Sequence, residues 1–474
     1  MAPKTNDPLV ALRELEVVAR RLEVSEEELG GWLSAAGSYS SEFLRLNRTG
    51  PAYTKPGAVP LRTSTPTAEP GSFDQALAEF NELVIPRGVA PTSGRFFGYI
   101  PGGGLTSAAI GDYLAALTNR YSGTLLACPG AVEVENSMVR WMIEMVDYPR
   151  EAWGTLQSGG TLATLAAVVA ARGKQRPEDL ARCVIYRTDE IHLVAPKSLH
   201  IAGLGHVAAR SVPMDDSFRM SVPDLERAIR DDIAAGLRPW LVFASAGTVN
   251  SGAVDPLDAI ADVCRTHGLW LHVDGAYGGF FLLTEKGRLA LKGMGRADSI
   301  VLDPHKGLFL PYGCGAVLVR NGEDLRRGFS FRADYLPEPP ADADPSPMDY
   351  SPELTRHFRG LRLWLSLKLH GVERFRAALE EKLLLADFAY RELAALPGIE
   401  VGPKPQLSIA TFRMRGEGNE ATERLLARVL ERGRVHMSGT ILRGRFYIRI
   451  CVLCFRSHLE DVRICLDEIR GAAG

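Results

Sequence analysis

Apolar and polar positions follow two different periods along this chain. Residues 9–23 (LVALRELEVVARRLE) repeat apolar side chains three and four apart, which predicts an amphipathic helix. Ser72 to Val84 predicts another, with Ser72 as its N-cap. From about residue 100, helical stretches at 109–121, 131–146 and 161–173 alternate with short β-rich runs. These runs are CVIYR (183–187), HVAARSVP (206–213), WLVFASA (240–246), LWLHVDG (269–275), SIVLDP (299–304) and GAVLVR (315–320). Strands that alternate with helices predict an α/β fold whose mostly parallel sheet is covered on both faces.

Two irregular stretches interrupt the pattern. Residues 49–72 are rich in Pro, Gly and Thr, which marks a linker. Residues 332–353 (RADYLPEPPADADPSPMDYSPE) are charged and Pro-rich, as surface loops and active-site lids are. Long helices return after it, and a strand-helix mix closes the chain as a smaller domain. Three segments are therefore expected: 1–100, helical and dimerising; 101–364, the large domain with a mobile loop at about 333–352; and 365–474, the small domain.

A chain of 474 residues exceeds one ordinary core. With 46% hydrophobic and 24% charged residues, a soluble globular protein is expected. The net charge of -2 argues against nucleic acid or an anionic membrane as partner. No apolar run has the length of a bilayer span, and MAPKTNDPLV does not read as a secretory signal. Seven scattered cysteines suit reduced thiols and a cytoplasmic location. Cys451-x-x-Cys454 lies in an apolar run with no second pair at zinc spacing, so a core role and no metal are expected.

Four places carry candidate chemistry. QSGGTLA (157–163) is a Gly-rich turn opening a helical run, which is a natural phosphate seat, although Ser-Gly-Gly alone is an ordinary turn. His192 follows the strand VIYRTDE, a position where a lone histidine is more often structural. Asp274 ends an apolar strand, where ligand crevices form in open α/β sheets and where an Asp also caps helices. Lys306 stands with Asp303 and His305 just after SIVLDP. A lysine withdrawn from water becomes a nucleophile toward carbonyls, whereas a solvated lysine is the ordinary occupant of such a loop. Taken together, the order suits pyridoxal phosphate, which needs a lysine for its aldehyde, an acid for its ring nitrogen, a helix N-terminus for its phosphate and a flat partner for its ring.

SGGTLATL, Asp189-x-x-His192, HVDGAYGG and DPHKG resemble the group II pyridoxal-phosphate-dependent amino-acid decarboxylases, in particular those acting on aromatic L-amino acids. FFGYIPGGG, PGAVEVENSMVRWM and RHFRGLRLW extend the resemblance from about Phe73 to the C-terminus. It implies the PLP-dependent transferase fold, with a seven-stranded-type sheet and a C-terminal α+β domain. It also implies a homodimer with sites at the subunit interface and decarboxylation of an L-amino acid, an aromatic one favoured. Lys306 matches the Schiff-base lysine, Asp274 the pyridinium partner, Ala276 and His192 the two ring faces. Gly160, Thr161, Ser299 and His305 match phosphate contacts, and Thr248 the residue near the ring hydroxyl. Tyr335 matches the loop tyrosine that reprotonates the product. Tyr99, Pro101 and Arg356 fall where substrate contacts are expected.

Gly307, Gly123 and Gly102 depart from the aromatic enzymes' Trp, Phe and Thr, which predicts a pocket wall that is roomier or filled from elsewhere. Asp303 replaces a common Asn near the phosphate, where two anions repel unless a donor intervenes. Aldehyde synthesis, decarboxylation of an acidic amino acid, transamination and carbon–carbon cleavage are the other reactions weighed. A binding or scaffold homologue without chemistry is the reading from a different class.

Overall fold

The computed structural model describes residues 7–55, 63, 68–331 and 344–473. Seven strands form the central sheet: β1 (Trp153–Gln157), β2 (Cys183–Arg187), β3 (Ala208–Ser211), β4 (Arg238–Ser245), β5 (Trp270–Gly275), β6 (Ser299–Leu302) and β7 (Gly315–Val319). Their order across the sheet is β1-β7-β6-β5-β4-β2-β3. β7 runs antiparallel to both neighbours and the remaining pairs are parallel. Every expected β run is a strand. β1 is an addition, since WGTLQ has Gly154 inside a run too short to show a period.

The strands separate two cores by simple alternation. Leu241 and Phe243 of β4 join one cluster with Val301, Val317 and Val319. Val242 and Ala244 join the other with Leu271, Val273, Ile300, Leu302 and Leu318. A strand buried on both faces needs apolar side chains at odd and even positions alike, which is why these runs read as unbroken Val, Leu and Ala.

The helices begin with α1 (Pro8–Ala19), α2 (Glu26–Asn47), α3 (Phe73–Leu83) and α4 (Thr106–Thr118). α3 opens on a capping box, in which Ser72 Oγ accepts from the Gln75 N–H at 3.2 Å. α5 (Pro129–Met145), α6 (Gly160–Arg172), α7 (Val194–Ile201), α8 (Val222–Ala234) and α9 (Leu257–His267) flank the sheet. α10 (Arg359–Ala394) bends at Gly371, whose φ of 67° and ψ of 156° break the helical path at a residue without a Cβ. Beyond the bend lies a four-stranded antiparallel sheet, ordered β8-β9-β11-β10: β8 (Ile399–Val401), β9 (Ile409–Met414), β10 (Ser438–Leu442) and β11 (Arg445–Cys451). α11 (Asn419–Glu431) and α12 (Leu459–Ala473) cover it, around a third core that includes Leu393, Phe412, Ile448 and Ile469. Cys451 ends β11 and Cys454 lies just beyond it, both buried.

His272 of β5 is fully buried between Phe243 and Ser299, and burial lowers its pKa to about 3. The folded state therefore prefers the neutral ring, while an unfolded His takes a proton near pH 6.5. Stability falls as pH drops from 6.5 toward 3, by about 1.4 kcal/mol per unit from this group. In His272→Gln that slope is expected to disappear, so the stability difference from wild type shrinks with acidification in urea titrations run from pH 7 to pH 4.

Candidate active site

Parallel strands all end at one edge, and β5 and β6 deliver their terminal side chains there. Asp274 pairs across with Ser245 of β4 and Val301 of β6. Its Oδ1 accepts from the Ala276 N–H at 3.1 Å, which orients the carboxylate. Asp303 follows β6, and Pro304 then starts a single helical turn that carries His305 and Lys306. Antiparallel β7 starts at the same edge, because Gly315 pairs with Gln157 and Ala316 with Leu302. The turn after β1 leads into α6, whose N-terminus no side chain caps. Its first N–H groups are thus available to an anion.

These ends enclose a cavity of about 590 Å³. Its lining includes Gly160, Thr161, His192, Thr248, Asp274, Ala276, His305, Lys306 and Tyr99. Lys306 Nζ lies 2.9 Å from Asp303 Oδ2. Burial works against the Lys306 charge, but the Asp303 and Asp274 carboxylates outweigh it and hold the ammonium above its ordinary range. His192 Nδ1 accepts from the Val194 N–H at 3.2 Å, leaving Nε2 to carry the ring proton. Burial lowers its pKa despite nearby Asp274, so the ring is neutral at pH 7. Thr248 Oγ1 meets Ser251 Oγ at 2.9 Å in a loop tied to the segment just before β9, where Gln406 Oε1 accepts from the Val254 N–H at 2.9 Å. His305 donates Nδ1–H to the Cys314 carbonyl at 2.6 Å.

Three expected contacts are not brought to the cavity. Ser299 starts β6 rather than ending it, and its hydroxyl accepts from Trp270 Nε1 at 2.8 Å and bonds His272 at 2.9 Å. Pro101 is buried outside the lining, which Tyr99 and Ile100 form instead. Arg356 has no exposed side-chain surface and pairs at 2.9 Å with the equally buried Glu135. It also donates to Thr155 Oγ1 at 3.1 Å and to the Leu156 carbonyl. Removing one partner strands the other as a buried charge. Arg356→Ala is expected to cost about 3–5 kcal/mol of stability, read as a lower urea midpoint, with KM unchanged. Tyr335 lies outside the described residues.

The glycine substitutions do not widen the wall. A Cβ at Gly102 would sit 2.2 Å from the His305 carbonyl oxygen, so only glycine passes under the lysine turn. A Cβ at Gly307 would meet Phe280 at 2.7 Å, and one at Gly123 the Leu354 carbonyl oxygen at 2.8 Å. The space is filled from elsewhere.

Sequence reasoning missed Tyr312 and Arg449. Tyr312 lines the cavity and meets His305 edge-on at 5.9 Å. Arg449 is buried in β11 and binds the Asn250 carbonyl at 3.0 Å, Ser438 Oγ at 2.9 Å, and the Val249 and Tyr99 carbonyls. It clamps two cavity walls together. A lone Arg inside the apolar run FYIRIC was the available signal.

The residues fit pyridoxal phosphate. A half-buried lysine, a strand-end acid and a neutral imidazole open into one space, beside helix N–H groups that no side chain caps.

The sequence profile named pyridoxal-dependent decarboxylase conserved domain matches residues 53–415. The aromatic-L-amino-acid decarboxylase of Bacillus atrophaeus is 34% identical over 80% of this chain and 81% of its own. The histidine decarboxylase of Drosophila melanogaster is 31% identical over 85% of this chain and 49% of its own. Among solved structures, Oryza sativa TDC with PLP and tryptamine superposes with a TM-score of 0.88 at 27% identity, covering 95% of this chain and 98% of that one.

Proposed function

We propose, from the premise that this chain belongs to the pyridoxal-dependent decarboxylases, that its substrate is an aromatic L-amino acid. The chain is a pyridoxal-phosphate enzyme that decarboxylates an amino acid. The observation that carries this reading is the shared cavity, in which Lys306 and Asp274 face the uncapped N-terminus of α6. The aromatic preference is supported by Tyr99, Ile100 and Tyr312 in its lining and by the named substrate class of the Bacillus relative.

When bound, the cofactor supplies a sink for the electron pair left behind as carbon dioxide departs. Lys306 would hold its aldehyde carbon, and Gly160, Thr161 and His305 would hold its phosphate. Asp274 would keep a proton on the ring nitrogen. His192 and Ala276 would face the ring, and Thr248 would stand near its hydroxyl. Arg449 fixes the Tyr99 wall against the 248–250 loop, which keeps the substrate side in register. Tyr335 donates the proton that replaces the carboxylate, from its phenolic oxygen. Tyr335→Phe is expected to keep cofactor binding and lower amine formation about 100-fold; amine made at the wild-type rate contradicts the role.

The working protein is read as a cytoplasmic homodimer of three segments, 1–100, 101–364 and 365–474, whose sites lie at the subunit interface. None of the residues of α1, α2 and α3 is buried, although α1 carries Leu9, Leu12, Leu15 and Val18. An apolar stripe of that kind fits burial against a second copy. All seven cysteines are unpaired, which fits a reducing compartment. No described helix is long and apolar enough to cross a membrane. A panel of amino acids assayed for carbon dioxide, amine, aldehyde, keto acid and sulfide tests the reading. Amine and carbon dioxide in equal amounts, from aromatic substrates first, is the expected result. Aldehyde, keto acid or sulfide as the main product overturns it.

A further inference from the structure

We propose that Arg362 is a positioning residue for the cofactor's phosphate: from outside the cavity it fixes residues 311–314, and through them it fixes His305 beside the start of α6. The inference rests on the reading of the cavity as a pyridoxal phosphate site and goes beyond it.

His305 is the side chain to be placed. Its ring lines the cavity beside the turn that opens α6, where a Cβ on Gly159 would stand 3.6 Å from His305 Cε1. Two contacts orient the ring, and both come from one short loop. The Cys314 carbonyl accepts from His305 Nδ1–H at 2.6 Å and from the His305 backbone N–H at 3.2 Å. The Tyr312 ring meets the imidazole edge-on, with 5.9 Å between centroids and 64° between planes. Nε2 is the ring nitrogen left for a ligand.

The imidazole is therefore only as well placed as the loop. Residues 311–314 belong to no helix or strand. Tyr312 is 65% exposed and Gly313 turns with a φ of 99°, so neither packing nor a regular ladder fixes the middle of the loop. Arg362 of α10 supplies the hold. Its Nη1 donates to the Tyr312 carbonyl at 2.9 Å and reaches the Pro311 carbonyl at 3.5 Å. Among the described residues, no other side chain outside the His305 turn hydrogen-bonds residues 311–314.

The arginine is itself anchored. It is buried, and its Nε donates to Asp112 Oδ1 of α4 at 2.6 Å. α4 and α10 touch at its root, where a Cβ on Gly111 would stand 2.9 Å from Arg362 Cα. A planar guanidinium grips a carboxylate with one edge and carbonyls with another, a geometry that a single ammonium does not reproduce. The two parts of the fork serve different ends: Nε with Asp112 joins two helices, and Nη1 holds the loop. Arg362 does not line the cavity, so its effect on the cofactor travels through the loop and His305.

Titrations of the purified protein with pyridoxal phosphate and with pyridoxal, which lacks the phosphate, test the proposal by visible absorbance. Arg362→Lys keeps a cation for Asp112 but loses the fork. It is expected to bind pyridoxal phosphate about tenfold more weakly than wild type, as for one weakened hydrogen bond to a charged group, and to bind pyridoxal equally well. Arg362→Gln, which keeps one neutral amide donor, is expected to show the same split. Asp112→Asn breaks the ion pair but leaves the loop held, so it is expected to lower the urea midpoint and change neither affinity. In a double-mutant cycle, Arg362→Lys is expected to add no further loss on top of His305→Ala. Equal losses for both ligands, wild-type affinity in both arginine variants, or full additivity with His305→Ala overturns the proposal and leaves the cofactor site intact. The same split in Asp112→Asn also overturns it, because the ion pair alone would then carry the effect. A wild type that develops no visible absorbance with pyridoxal phosphate overturns the cofactor reading and this proposal together.

Discussion

Lys306→Ala is expected to abolish the visible absorbance of the loaded protein and lower decarboxylation by on the order of 10⁴-fold or more, as loss of a covalent catalytic group does. The physical reason is local. Lys306 rides on one helical turn fixed by Pro304 and by the Lys306 N–H to Asp303 carbonyl bond at 2.8 Å. That turn is packed over Gly102 with no room for a Cβ. Its amine therefore has one place to be, in the cavity within reach of Asp303. The variant leaves Asp303 without its cation but removes no core side chain, so its far-ultraviolet circular dichroism should match wild type. A variant that still decarboxylates within tenfold of wild type is incompatible with covalent attachment at this residue.

Asp274→Asn is expected to lower the rate about 10³-fold, in line with losing one preorganised electrostatic contact to a charge that the reaction depends on. The carboxylate accepts from the Ala276 N–H, and the backbone that carries it is fixed between its strand partners in β4 and β6, which limits its reorganisation as charge shifts. An amide of the same shape keeps that hydrogen bond but cannot hold the ring nitrogen protonated. The loss should fall on kcat, with the cofactor still attached through Lys306 and its absorbance shifted. An unchanged kcat removes Asp274 from the reaction.

Much of this site could be read from the chain because strand ends are conspicuous. A polar residue directly after a run such as LWLHV or SIVL lies at one rim of the sheet, and parallel strands share that rim. Asp274 and Lys306 were legible for this reason. Ser299 was not, because it belongs to the same run as Asp303 but stands at its start, roughly 13 Å away at about 3.3 Å per residue. Which end of a strand faces the ligand depends on direction, and one apolar run does not display direction. The antiparallel course of β7 escaped detection on the same ground, although it sets Gly315 beside Asp303. Arg356 was expected at the substrate from the resemblance alone, and its partner Glu135 lies far away on α5, a distant pairing that leaves no local mark. Arg449 left only a single charge in an apolar strand.

The small-domain contacts at the cavity were illegible too. Tyr277 reads as part of a Gly-rich turn, yet its hydroxyl meets Ser408 Oγ at 2.8 Å and joins the end of β5 to the approach to β9. Docking of that kind depends on how two domains meet, which periodicity within either domain does not encode.

The most direct test of covalent attachment at Lys306 is to incubate the purified protein with pyridoxal phosphate, reduce it with borohydride and map the modified peptide by mass spectrometry. The account predicts one phosphopyridoxyl group per chain, on Lys306. A protein that takes up no label, or one labelled on another lysine with Lys306 unmodified, would contradict it.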